Sequence, residues 1–423
     1  MQYVWQHRLL VSTDLTTVDG RKVSVIDPGR LNTDAGPDFF NAKVKIDGQM
    51  WVGDVEVHVR ASDWHRHGHD GDRAYDSVIL HVVDRDDAQV CRSNGEVIPQ
   101  MCLTCSPEFH LRYHELVDRA DIDLPCGCEI RSLSPLHVAD WMTSLAYERV
   151  YDKAGHIEEL LERYAGDWEQ TCYVVLARAL GFGTNSEPME RLAMSLPLHF
   201  LRKHSDSEVA IEALMFGLGG FLDDAPKGEA YVDLLVGEHR FLAHKFALSP
   251  LQPLGWKMAR LRPHNFPHRR IALLARLVAD DSRLVSRIVK AGGVDELRAI
   301  FSAPLTGYWT NHFTFGGAGS ERTYECLSRS SVDVILINVA VPLMVAYGSL
   351  HGDEGLCDRA FEMLHEIPSE SNSIVSLFVN AGLPCRDAFT SQALIQLRRN
   401  YCQMRKCLFC RLGHRLLAVK AHR

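Results

Sequence analysis

Hydrophobic and polar positions alternate over the first third of the chain and recur at helical spacing over the rest. Lys22 to Ile26, Asn41 to Ile46 and Met50 to Val59 are alternating runs. Side chains two apart in a strand point the same way, so each run has one apolar and one polar face. Asp47-Gly48, between the second and third runs, is a hairpin turn. Ser77 to Val83 reads as a buried strand interrupted by His81, a candidate hydrogen-bonded core histidine. From about residue 133 the period changes. Leu136 to Arg163 carries apolar residues at helical spacing, with Ser134-Pro135 as its start signal. The same spacing predicts helices over 169–180, 188–203, 207–222, 231–247, 269–278, 282–290 and 332–347. Their Met and aromatic positions are core positions.

These elements predict an α+β or α/β protein. A mixed sheet spans 1–130, a mainly α-helical domain spans 131–395, and a basic, cysteine-containing module spans 396–423.

The third run carries candidate chemistry. Asp54, Glu56 and His58 fall on one face, and Val55, Val57 and Val59 on the other. An edge strand with a solvated polar face accounts for this pattern. So does a divalent-metal site to which Asp38, fixed by Gly36-Pro37, adds an oxygen ligand. The following loop holds His65, His67, His69 and Asp70, and offers the last three as an alternative base or metal ligand.

With 423 residues, 46% of them hydrophobic, the chain has ample material for a core. Its net charge of −8 excludes a protein that coats nucleic acid with its whole surface, and leaves a local basic cleft open. The N-terminus does not read as a secretory signal, and no segment reads as a membrane span. A cytoplasmic protein without a membrane partner is expected. Its twelve cysteines then read as reduced thiols or metal ligands.

Two further stretches draw attention. Trp256 to Arg270 clusters Arg260, Arg262, His264, Arg269 and Arg270 around a Pro-punctuated turn. Guanidinium groups match phosphate geometry, so this is either a phosphate-binding cleft or a structural turn. The Gly-rich loop Trp309 to Gly319 lacks the ending of a P-loop. At the C-terminus, Cys407 and Cys410 have the spacing that grips one metal, and Cys402 lies five residues upstream. Zinc or an iron–sulfur cluster is expected there, with His414, Cys385 or Cys126 completing the set. The alternative is an amphipathic helix with buried thiols. The pairs Cys102/Cys105 and Cys126/Cys128 read as chance neighbours in loops.

Two resemblances rest on these residues. Trp5 to Leu9, Leu31 to Phe40, Val52 to Trp64, Arg260 to Ile271 and Cys402 to Gly413 resemble a bacterial family, domain of unknown function 2851. More locally, Gly36-Pro37-Asp38-Phe39 followed by Asp54-Val55-Glu56-Val57-His58 is similar to the PD-(D/E)XK nucleases. That second resemblance implies Asp38 and Glu56 as Mg²⁺ or Mn²⁺ ligands, with the Val57 carbonyl beside them. Asp54 is the acid of a second alignment. His58 stands where those nucleases carry lysine, and would orient or deprotonate the attacking water. A metal-dependent nuclease acting on DNA or RNA is the resulting expectation. The alternatives are a nuclease-like nucleic-acid-binding or structural protein without turnover, and a small-molecule hydrolase built on the histidine loop.

Overall fold

The alternating runs pair into one seven-stranded mixed sheet. Its strands are β1 (Leu15–Thr16), β2 (Lys22–Asp27), β3 (Arg30–Leu31), β4 (Phe39–Ile46), β5 (Gln49–Arg60), β6 (Val78–Arg85) and β7 (Gln100–Cys102). The order is β1-β2-β4-β5-β6-β7, with β3 added against β4. Pairing is antiparallel up to β5 and parallel from β5 to β6 and from β6 to β7. The structure is a computed structural model that describes residues 1–8, 15–32, 34–103, 107–117, 123–249, 251–280, 283–317, 319–320 and 327–418. Thr33, Cys105, Ser282 and Ala318, which fall within stretches singled out from the sequence, lie outside the described residues.

The hairpin forms where the local chemistry demands it. Asp47 and Gly48 both take positive φ, at 49° and 82°, and Ile46 pairs with Gln49 across them. Two consecutive left-handed residues match the twist of the flanking strands. β5 is central, with β4 on one side and β6 on the other, so the edge-strand reading does not hold. Gly53 allows the close approach of β6: a Cβ there would lie 2.6 Å from the Ser77 carbonyl oxygen. Val55 and Val57 join a core with Phe39, Val44, Ile46, Leu80, Val82 and Met101. Val59, expected on that side, is exposed. Trp64, Tyr75, Val78, Val90 and Ile98 form a second apolar cluster.

The chain divides into two compact units, 1–138 with 399–423, and 139–398. The second is helical. Many helices begin where a side chain caps a free N–H: Asp167 accepts from Gln170, Ser207 from Ala210, Asp353 from Leu356 and Asn372 from Val375. Pro197 lacks an N–H, and the helix expected over 188–203 divides there into Ser186–Ser195 and Leu198–Arg202.

The segment Arg329–His351 is long and apolar enough to cross a membrane, contrary to the sequence expectation. Of its apolar window 78% is buried within the protein, the pattern of a core helix. A π-turn, Leu336–Ala340, interrupts it. Lys153 Nζ donates there to the Ile337 carbonyl at 3.2 Å and to Asn338 Oδ1 at 2.8 Å.

Candidate metal centre

Parallel strands cannot be joined by a tight turn; the chain must cross over before the next strand begins. Between β5 and β6 that crossover holds the short helix Asp63–Arg66 and two 3₁₀ turns, His69–Gly71 and Arg73–Tyr75. It brings His67 and His69 back over the face of β5 that carries Glu56 and His58. One ring nitrogen from each of His58, His67 and His69 lies within 4.8 Å of the others. Their rings are close-packed: His58 stacks on His69 at 5.4 Å, and His69 stacks on Tyr75 at 3.7 Å.

Glu56 links these histidines to Asp38. Its Oε1 is 3.3 Å from His58 Nε2 and 3.6 Å from His69 Nε2. Its Oε2 accepts from the Asp38 N–H at 3.0 Å. The Asp38 carboxylate in turn accepts from the Val57 N–H at 3.1 Å and from Gln2 Nε2 at 2.7 Å. Antiparallel pairing of Phe39 with Val55 places Asp38 opposite Glu56. The structure thus brings together Asp38, Glu56 and His58, as the sequence pattern anticipates. It adds His67 and His69.

Burial governs the protonation of these groups. Glu56 is 5% exposed, and burial plus the Asp38 charge raise its pKa to about 8. Burial also raises Asp38. His58 is lowered to about 4, first by burial and then by His67 and His69. His81 is fully buried and lowered to about 3 by burial and by His58. Its Nε2 lies 2.9 Å from His58 Nδ1, so it is the hydrogen-bonded core histidine expected. On the other side of the His58 ring, Nε2 lies 3.1 Å from His67 Nδ1. Neutral imidazole is the form that ligates metals.

The spacing fits a metal ion. Ligands about 2.1 Å from a tetrahedral ion stand roughly 3.4 Å apart, and the contacts of His58 with Glu56 and His67 lie close to that. His69 Nε2 is buried without a hydrogen-bond partner. A buried polar atom so placed needs an explanation, and a metal bond is one. His67 is exposed and opens the cluster to solvent.

Other expected ligands lie elsewhere. Asn41 forms a bulge in β4 with φ of 56°, and its N–H donates to Asp54 Oδ1 at 3.0 Å. The other Asp54 oxygen accepts from Ser77 Oγ at 2.6 Å. Asp54 therefore braces the sheet, and is not gathered with Glu56. His65 pairs with Asp70 at 2.8 Å, both half exposed, away from the cluster.

The basic stretch divides in two. Arg260, Arg262 and His264 are exposed. Arg269 and Arg270, expected to bind phosphate, are buried. Arg269 donates to the Trp309 carbonyl, and to that of His312 at 3.3 Å. Arg270 donates to Asn265 Oδ1 and lies over the Phe182 ring at 4.5 Å. Burial and neighbouring Arg269 lower Arg270 to about 10. These two guanidiniums hold loops in place and face protein groups.

Sequence reasoning offered His67, His69 and Asp70 as an alternative base or metal ligand beside Glu56 and His58; the structure gathers His67 and His69 with His58 and leaves Asp70 paired with His65. The available signal was a His-x-His in the connection after a strand bearing Glu-x-His. No curated protein and no solved structure matches the chain. The family described as protein of unknown function (DUF2851) matches residues 1–373, and the chain belongs to that family.

Proposed function

We propose that the protein is a metal-dependent phosphodiesterase acting on nucleic acid, with its metal held by Glu56, His58, His67 and His69. The observation that carries this reading is the convergence of three imidazoles, those of His58, His67 and His69, with the Glu56 carboxylate 3.3 Å from the first and 3.6 Å from the last, and Asp38 beside it. Imidazole-rich sets suit zinc, iron and manganese better than magnesium, so Mn²⁺, Zn²⁺ or Fe²⁺ replaces Mg²⁺ as the preferred ion. A bound divalent ion would polarise the phosphate and make water acidic enough to attack at neutral pH.

The residues around it have separable tasks. His81 fixes the ring orientation of His58 from behind, as outer partners of ligating histidines do. Asp38 holds the Glu56 carboxylate through its own N–H and offers a second carboxylate beside it as a proton acceptor. Arg66, beside the cluster, is exposed but paired with Asp63 at 2.9 Å, so a polyanionic substrate would have to share it with that carboxylate. His58 is pinned between His81 and His67, so it acts as a ligand and not as a charged substitute for lysine.

The test is cleavage of labelled single- and double-stranded DNA and RNA by wild type and Glu56→Ala, with Mn²⁺, Zn²⁺ and Mg²⁺. Metal-dependent products that vanish in the variant support the reading. No products from fully metallated wild type would overturn it. A second reading, a nucleic-acid-binding protein without turnover, is favoured by the neutral His58 at the position of a catalytic lysine. Binding that persists in EDTA without products is its signature.

A further inference from the structure

The C-terminal cysteines take no part in the histidine cluster. Residues 399–423 belong to the same compact unit as residues 1–138, although the helical unit lies between them in the chain. Cys407 and Cys410 share one turn, in which the N–H groups of Phe409 and Cys410 both donate to the Lys406 carbonyl at 3.1 Å. Cys402 is drawn back towards it. The Arg405 N–H donates to the Cys402 carbonyl at 3.1 Å, and the Lys406 N–H to the Tyr401 carbonyl at 2.9 Å. Gly413 lets the following helix, Arg411–Ala418, approach this turn: a Cβ there would lie 2.3 Å from the Cys407 carbonyl oxygen.

The fourth thiol comes from far away in sequence. Cys126 heads its own turn, its carbonyl accepting from the N–H groups of Glu129 at 3.0 Å and Ile130 at 3.1 Å. Cys126 and Leu408 both pack on the core that contains Tyr3, Trp5 and Leu417. The Cys126 thiol lies within electrostatic reach of Cys410 and Cys407. The other candidates for the fourth position are occupied elsewhere. His414 Nδ1 is paired with the Tyr3 hydroxyl, and its ring packs on His7 at 4.4 Å. Cys385 belongs to the helical unit, where its thiol faces the Asp387 carbonyl at 3.9 Å.

We infer that Cys126, Cys402, Cys407 and Cys410 bind a four-iron, four-sulfide cluster that fastens the C-terminal segment to the strand-rich unit. The spread of the thiols favours a cluster over a single zinc. A tetrahedral zinc holds its sulfurs about 3.8 Å apart. Among the described residues, three ligand atoms come within 4.8 Å of one another at the histidine cluster and not at these cysteines. Iron and sulfide atoms between the thiolates fill the larger gap. Each thiol loses its proton as its sulfur–iron bond forms, and with two ferrous and two ferric ions supplied with four sulfides no further electron transfer is needed.

The test is iron, zinc and acid-labile sulfide per chain, prepared anaerobically and reconstituted with equal amounts of ferrous and ferric iron and with sulfide. About four irons and four sulfides with visible charge-transfer absorption are expected. Cys126→Ser and Cys410→Ser should lose most of that sulfide and absorption, while Cys128→Ser, Cys385→Ser and Glu56→Ala retain them. Zinc without sulfide overturns the cluster, and a chain with neither metal overturns the site. An intact cluster in Cys126→Ser overturns the assignment of the fourth ligand. The wild-type stoichiometry stands without any variant, so insoluble variants do not shelter the proposal. Iron without sulfide would belong to the histidine centre and would count against the cluster.

Discussion

Both units bury ionisable side chains, and they use them in opposite ways. In the helical unit, opposite charges meet. Arg298 lies between Asp333 at 2.7 Å and Asp295 at 2.8 Å, and Glu190 takes Arg178 and His156. At the candidate metal centre of the strand-rich unit, like meets like: Glu56 lies beside Asp38, and His58 between His81 and His67. Opposite charges in contact hold a fold together. Two acids side by side oppose it through desolvation and mutual repulsion, and buried imidazoles are tolerated there only in their neutral form. Such an arrangement persists where something outside the chain compensates, and a cation is the simplest compensator.

The sharpest way to break this contrast is to remove Glu56. Glu56→Ala should abolish metal-dependent cleavage and weaken Mn²⁺ or Zn²⁺ binding by more than about a hundredfold, since even outer partners of metal ligands are worth 10–100-fold. Calorimetric titration reads the affinity. Equal affinity in variant and wild type would make the cluster a structural oddity. In the helical unit the corresponding change is Asp333→Ala, which strips a largely buried partner from Arg298. A loss of about 3 kcal/mol in urea unfolding is expected, with metal affinity untouched. A loss in metal affinity instead would show that the two kinds of cluster are not independent.

A subtler test uses Glu212, the helical unit's own exception. It is 3% exposed, takes its hydrogen bond from the Tyr231 hydroxyl, and burial raises its pKa from 4.5 to about 8. Between those two values the folded chain keeps a proton that the unfolded chain has released. Stability from this group therefore falls as pH rises from 4.5 towards about 8, and levels off above. Glu212→Gln should flatten that decline in thermal melts at a series of pH values; an unchanged profile would place the titration elsewhere. The smallest effect belongs to a helix cap. Asp387 accepts from the Thr390 N–H at 2.8 Å, and Asp387→Ala should cost about 1 kcal/mol. Chemical denaturation would show it, and no cost would mean that solvent replaces the cap.

What the sequence disclosed, and what it hid, follow from the range of the interactions. The Asp47-Gly48 turn and the helix start at Pro135 depend on neighbouring residues, and both appear where expected. Asp38 and Glu56 meet because a hairpin is itself a local device. His67 and His69 reach His58 only through the parallel pairing of β5 with β6, which no residue in the loop declares. Arg269 and Arg270 misled because charge reads as surface, yet carbonyls and aromatic rings satisfy a guanidinium inside a fold. Val59 reads as core by alternation and is exposed near the end of its strand, one residue before Arg60.

The return of the last helix to the first unit has a consequence for how the chain is made. Leu417 lies in the same core as Tyr3, Val4 and Trp5. During synthesis those three residues emerge before the helical unit, and Leu417 emerges after it. The helical unit is completed in the interval, within a neighbour whose core is still open. Units generally fold as they emerge, so here the order of appearance and the order of completion are reversed. A chain cut short before residue 399 would leave its earliest residues without a finished core.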